Sequence, residues 1–205
     1  MSEIPYRIAY AVLLLTLLAA VSAYRLRAEP AGGRIPEAAA RRTEGPALYF
    51  TLRLGGLVLW LGALVYPFAP RVLAWAALPL PAWLRWTGAA GAAAAIPLVF
   101  WAQRSLGGNV TKTVLTKNRH SLVTDGPYRW VRHPLYALGT VILTGLGLLA
   151  ASGFVLAALA VLALPLALRT RLEERALSHR FGDAYRRYAE RTGRFLPRIS
   201  RSIGG

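Results

Sequence analysis

The sequence predicts an all-α, polytopic membrane protein of about five transmembrane helices, with a tight C-terminal helical hairpin and cytoplasmic amphipathic helices. Its 205 residues are 55% hydrophobic, yet the formal net charge is +16. A soluble domain seldom combines the two, and here they occupy different segments. Apolar runs cover residues 4–24, 47–68, 83–103, 134–151 and 153–169, each about the length that crosses a ~30 Å hydrocarbon layer. The charge lies between them: +2 over Arg25 to Glu44, +5 over Arg104 to His133 and +6 from Arg169 onward. Five crossings put all three basic segments on one face. By the excess of positive charge on the inner side, that face is cytoplasmic, the N-terminus is outside and the C-terminus inside.

Each element follows from local signals. The run Ile4 to Tyr24 is leucine- and alanine-rich. Its end, Val21-Ser22-Ala23, has the form of a signal-peptidase site, but the preceding basic region is nearly absent, with Glu3 before a single Arg7. Pro30, Gly32, Gly33 and Pro36 break the helix, and Glu37 to Arg42 reads as a short surface helix. The second run carries Arg53 about two turns inside its cytoplasmic end, either as a functional intramembrane charge or as a snorkelling guanidinium. Pro67 to Pro81 reads as an external loop, anchored at the interface by Trp75, Trp83 and Trp86. Gly88, Gly91 and the alanines to Ala95 give the third run a small-residue face for close helix packing, with a kink expected at Pro97. Only Ser152-Gly153 separates the fourth and fifth runs, which forces an antiparallel hairpin. From Arg169 to Arg191, apolar residues recur at three- and four-residue steps among arginines, interrupted by Gly182. That pattern predicts an amphipathic helix leaving the membrane, a hinge, and a second short helix ending before Pro197.

Composition excludes several chemistries. Without cysteine there are no disulfides, thiolate nucleophiles or cysteine-ligated metals. His120, His133 and His179 have no metal-ligand spacing, and no Gly-x-x-x-x-Gly-Lys loop is present for phosphoryl transfer. Arginine beside membrane spans fixes topology and meets anionic lipid headgroups, so membrane lipids rather than nucleic acid are the expected partners of the basic segments.

The polar chemistry concentrates in His120 to Gly139 and Glu173 to Arg198, which flank the hairpin and so return to one membrane face. The first holds His120-Ser121-Leu122-Val123, Gly126-Pro127-Tyr128-Arg129 and Arg132-His133-Pro134-Leu135-Tyr136. The second holds Glu173-Glu174-Arg175-Ala176-Leu177, Phe181-Gly182-Asp183-Ala184-Tyr185-Arg186-Arg187-Tyr188 and Arg194-Phe195-Leu196-Pro197. In this order around a hairpin, over residues 100–200, the sequence resembles the isoprenylcysteine carboxyl methyltransferase and phospholipid methyltransferase superfamily of integral membrane enzymes. It departs in one place: the family often has glycine two residues after the tyrosine of the His-Pro block, where this chain has Leu138, with Gly139 one place later.

The resemblance implies a single integral membrane domain over 1–205, with residues 104–205 as the cofactor-binding and catalytic half. It also implies S-adenosylmethionine as methyl donor and a hydrophobic or lipid-linked acceptor, either an isoprenylcysteine-like carboxylate or a phospholipid-like amine. Of the candidate cofactor-binding residues His120, Leu122, Val123, Tyr128, Arg132, His133, Tyr136, Glu173 and Glu174, Arg132 and His133 are expected to meet the donor's carboxylate. Glu173 and Glu174 are expected to accept from its ammonium or ribose, and Leu122, Val123 and Tyr128 to line its adenine. Arg194 is the candidate to hold a carboxylate acceptor, and Glu174 to take a proton from an amine. Singly, each has a structural reading: His133 caps a helix, and Glu173 pairs with Arg169 or Arg180. A lateral opening for the acceptor's tail is expected beside Ala92 and Gly145. With 23 Arg against two Lys, the composition points to a GC-rich prokaryotic source and an inner-membrane location. The rival readings are an NADPH-dependent, sterol-reductase-like membrane reductase and a non-catalytic lipid-binding scaffold.

Overall fold

The computed structural model describes residues 3–28, 37–106 and 122–198. They form seven α-helices: α1 (Ile4–Ala28), α2 (Glu37–Glu44), α3 (Pro46–Phe68), α4 (Ala82–Leu106), α5 (Pro134–Leu149), α6 (Gly153–Phe181) and α7 (Asp183–Arg191). Short 3-10 turns at Pro70–Ala76 and Gly126–Arg129 complete the elements. The predicted surface helix, hairpin and hinge are all present. α4 runs through Pro97 without a break.

By length and composition, three of the described helices can cross a bilayer: Ile4–Ser22, Pro46–Phe68 and Gly153–Phe181. The sequence expectation was five crossings. α5 is apolar but has 16 residues, about 24 Å of helix. α4 has 25 residues, but its middle is built of alanine and glycine rather than leucine, which lowers its hydropathy. The surface is that of a membrane protein: Ile8, Leu15, Leu54, Val161 and Leu164 are all at least 60% exposed, where lipid rather than water is the natural neighbour.

The core is correspondingly made of small and aromatic residues. Tyr6, Tyr10, Leu14 and Leu17 of α1 pack on Ala89, Ala92, Ile96 and Val99 of α4, which meet Ile142, Leu146 and Leu149 of α5. α4 and α5 form the most extensive helix pair. A Cβ added to Gly145 would stand 2.4 Å from the Gly88 carbonyl oxygen, and one at Gly88 would stand 2.7 Å from that of Gly145. Here the expectation of a lateral opening is corrected. Gly145 and Ala92 are consumed by backbone contact between the two helices and leave no room for a lipid tail.

At one end of the bundle the chain ties its own N-terminus down. Arg85, in the first turn of α4, donates to Glu3 through two nitrogens at 2.8 Å and to the Leu149 carbonyl at 2.9 Å. Its guanidinium also lies 3.5 Å from the Tyr6 ring centroid. Arg7 donates to the Pro67 carbonyl at 2.7 Å. Arg85 is therefore a buried rivet joining α1, α4 and α5. The exposed Trp75 and Trp83 mark the same end.

Candidate functional site

The opposite end gathers the two polar strips. α5 starts at Pro134, whose fixed φ suits a first helical position, and Ser152 caps α6 by accepting from the Val155 N–H. α6 then continues past its apolar part for about three turns, carrying Glu173 and Glu174 beyond the bundle. Gly182, at φ +51°, turns the chain into α7, a backbone conformation that glycine reaches at little steric cost. The segment after α7 lies against the strip before α5. Arg132 N–H donates to the Gly193 carbonyl at 2.8 Å, His133 N–H to that of Arg194 at 3.0 Å, and Gly193 N–H to that of Trp130 at 3.0 Å. The strips that the sequence placed on one face are thus joined by backbone hydrogen bonds.

Glu174 is the hub. Its Oε1 accepts from Arg132 Nε at 2.9 Å, and its Oε2 accepts from Arg194 Nε at 3.1 Å and from the second Arg194 nitrogen. His133 Nε2 stands 3.4 Å from Oε1. Burial works to raise the Glu174 pKa, but the neighbouring His133, Arg194 and Arg132 groups overcome it and hold the carboxyl well below the usual carboxylate range. Arg132 is in addition tied to the carbonyls of Ala189, at 2.9 Å, and of Thr192.

Glu173 forms a second cluster beside the first. Its Oε1 accepts from the Tyr136 hydroxyl at 2.6 Å and from Arg169 Nε at 3.1 Å, and its Oε2 lies 3.7 Å from His133 Nδ1. The His133 ring stacks on Tyr136 with centroids 5.7 Å apart. His133 therefore stands between the two glutamates; it is the N-cap residue of α5, and its side chain makes no capping hydrogen bond there. Glu173 does pair with Arg169 on its own helix while also binding Tyr136, so its two readings coexist.

Between α6, α7 and the following segment lies a cleft of about 500 Å³, lined by Arg171, Glu174, Arg175, Ser178, Tyr185, Arg186, Ala189 and Arg194. Of the residues expected from sequence, Glu174 and Arg194 face this cleft. Arg132, His133, Tyr136 and Glu173 form the network behind it. Tyr128 is buried, and its carbonyl accepts from the Tyr188 hydroxyl at 2.8 Å. Leu122 and Val123 are half-buried in the chain leading to the 3-10 turn, and no contact places them in the cleft. His120 lies outside the described residues.

Sequence reasoning missed three contributors. Thr192 is 3% exposed and receives Arg132 on its carbonyl. Glu44, 8% exposed at the end of α2, lies 3.8 Å from Arg169 and extends the Glu173 cluster. Tyr185 is 4% exposed and lines the cleft. Only Tyr185 carried a usable signal, as an apolar-stripe position opposite the arginines. Among the described residues, no group of three or more His, Cys, Asp or Glu is arranged to hold a metal ion.

Residues 89–179 match the isoprenylcysteine carboxyl methyltransferase family. The chain is 42% identical over 88 residues to the cobalt-zinc-cadmium resistance protein CzcN of Cupriavidus metallidurans, covering 41% of this chain and 39% of that protein. It is 42% identical over 83 residues to the nickel-cobalt-cadmium resistance protein NccN of Alcaligenes xylosoxydans xylosoxydans, covering 38% and 37%. It thus spans about two-fifths of the length of these curated relatives.

Proposed function

From the match of residues 89–179 to the isoprenylcysteine carboxyl methyltransferase family, we propose an S-adenosylmethionine-dependent methyltransferase of a prokaryotic inner membrane. It acts on a lipidic or lipid-linked acceptor. The observation that carries this reading is the pairing of Glu174 with both strips, through Arg132 and Arg194, at the wall of a cleft of about 500 Å³. This reading keeps the five crossings expected from the sequence, with this end and the basic segments on the cytoplasmic side.

The residues lining the cleft fit the amino-acid end of the donor. A cleft for it needs cationic partners for a carboxylate, an acceptor for an ammonium and buried polar atoms awaiting a ligand. Arg171 and Arg175 supply the first and Glu174 the second. The buried Tyr185 hydroxyl, which makes no hydrogen bond within the protein, supplies the third. Arg132 acts as the strut that joins the strips, since its donors go to Glu174 and to backbone carbonyls. Its expected contact with the donor's carboxylate passes to the cleft arginines.

When bound, S-adenosylmethionine supplies a methyl group already activated by the adjacent sulfonium charge. The protein's work is then alignment and exclusion of water. Glu174 is held ionised so firmly that it is a weak base, so its role is to anchor cationic groups rather than take a proton from an amine. That favours an acceptor that arrives already nucleophilic, such as a carboxylate, which Arg194 holds. The acceptor's tail lies along the lipid-facing groove of about 300 Å³ between α5 and α6, lined by Thr140, Thr144, Leu156, Ala160 and Leu166. Gly139, one turn from Tyr136, opens on free space beside it.

Calorimetry of the purified protein separates this reading from its rivals. Saturable binding of S-adenosylhomocysteine without binding of NADPH is expected. The reverse would establish a reductase, and salt-sensitive binding of neither a lipid-binding scaffold. Ala160→Trp, which fills the groove, is expected to lower turnover of lipidic acceptors about tenfold or more while leaving S-adenosylhomocysteine affinity within about twofold. Equal loss of both would remove the groove from the acceptor site.

A further inference from the structure

Four buried side-chain atoms among the described residues lack a hydrogen-bond partner: the hydroxyls of Tyr10 and Tyr185, Gln103 Oε1 and His133 Nε2. An unpaired buried polar group costs about 1–3 kcal/mol, so each needs a reason. Tyr10 lies in the core beside Tyr66, with ring centroids 4.8 Å apart. Tyr185 differs from it in place. It projects from α7 into the wall of the cleft and is 4% exposed.

We propose that Tyr185 is a ligand-binding residue, whose hydroxyl donates to the carboxylate at the amino-acid end of the bound methyl donor. This rests on the methyltransferase reading above. The charged groups around the cleft select the ligand group. Arg171, Arg175, Arg186 and Arg194 line it against the single carboxylate of Glu174, whose two oxygens each accept from one guanidinium, Arg132 or Arg194. A phenol hydroxyl among guanidinium groups is best completed by the anionic group of the ligand. Burial raises the Tyr185 pKa further above its ordinary value, with Glu174 adding to the effect, so the phenol keeps its proton and stays a donor. The side chains at the cleft's edge are long and partly exposed. Those of Arg194 and Arg186 are 41% and 70% exposed. Arg132, the other nearby guanidinium, is held by backbone carbonyls and does not compete for the ligand.

The test uses two probes on the full chain in detergent. S-adenosylhomocysteine carries the amino-acid end, whereas 5′-methylthioadenosine keeps the nucleoside and thioether but lacks it. In Tyr185→Phe, affinity for the first is expected to fall about tenfold and for the second by less than twofold. The thermal midpoint without ligand should stay level or rise, because an unpaired buried hydroxyl has been removed. Tyr10→Phe is the control, with a level or raised midpoint and both affinities unchanged. Tyr185→Met serves as a second variant should the first not accumulate, with the same expected split between probes. Unchanged affinity for both probes, or equal loss of both, would overturn the assignment. So would a lowered midpoint together with equal loss, which marks a purely structural role. Failure of the unaltered protein to bind either probe would instead sink the methyltransferase reading and this contact with it.

Discussion

Glu174→Gln is expected to weaken methyl-donor binding about a hundredfold or more, and to destabilise this end of the bundle. The Arg132 and Glu174 side chains are 12% and 13% exposed, and breaking a buried pair of this kind costs about 3–5 kcal/mol, because the remaining charge is left without compensation. Here two guanidinium groups, Arg132 and Arg194, would face a neutral amide. The same carboxylate also gives the protein an acid sensitivity whose sign is fixed. Its folded pKa lies below its unfolded one, so its contribution to stability is complete above the ordinary carboxylate range. That contribution is lost as the pH falls through the depressed folded value. Thermal midpoints between pH 7 and pH 3 should therefore fall less steeply in Glu174→Gln than in the unaltered protein, from a lower starting point. Midpoints with equal slopes would show that Glu174 is not the group responsible. Unchanged S-adenosylhomocysteine affinity would remove it from the binding site.

Gly145→Leu is the second large effect and has a different origin. The added Cβ would meet the Gly88 carbonyl oxygen at 2.4 Å and Ala92 Cβ at 3.0 Å. Backbone cannot rotate out of the way as a side chain can, so α4 and α5 must separate along their whole contact. Overpacking of this sort costs about 3 kcal/mol, which lowers the thermal midpoint by roughly 10 °C for a chain of this size. Gly139→Ala, where a Cβ would meet nothing within 4 Å, should leave the midpoint unchanged or slightly raised. Scanning fluorimetry of both variants checks the pair. A stable Gly145→Leu with selectively poor acceptor turnover would restore the opening that the packing excludes.

The sequence carried a good part of this arrangement. A two-residue link between apolar runs leaves no option but an antiparallel hairpin, so the juxtaposition of Arg132 and His133 with Glu173 and Glu174 was legible before any coordinates. The expected roles of particular side chains fared less evenly. Arg132 was read as free to meet a ligand, but nothing in the spacing reveals that carbonyls 57 and 60 residues away receive its guanidinium. The small residues of the third and fourth runs were read both as packing and as an opening. Periodicity cannot distinguish a glycine that admits a neighbouring backbone, as at Gly88 and Gly145, from one that opens on space, as at Gly139.

Run length, charge placement and motif order are one-dimensional quantities, and they determined that this chain is helical, lies in a membrane and turns its polar strips to a common face. Contacts across the bundle depend on helix rotation and depth, which the chain sets only once every side chain competes for the same space. The tertiary structure alone therefore decided that Glu3 pairs with Arg85, that Glu174 is shared by Arg132 and Arg194, and that Tyr185 is left with a buried hydroxyl in the wall of the cleft.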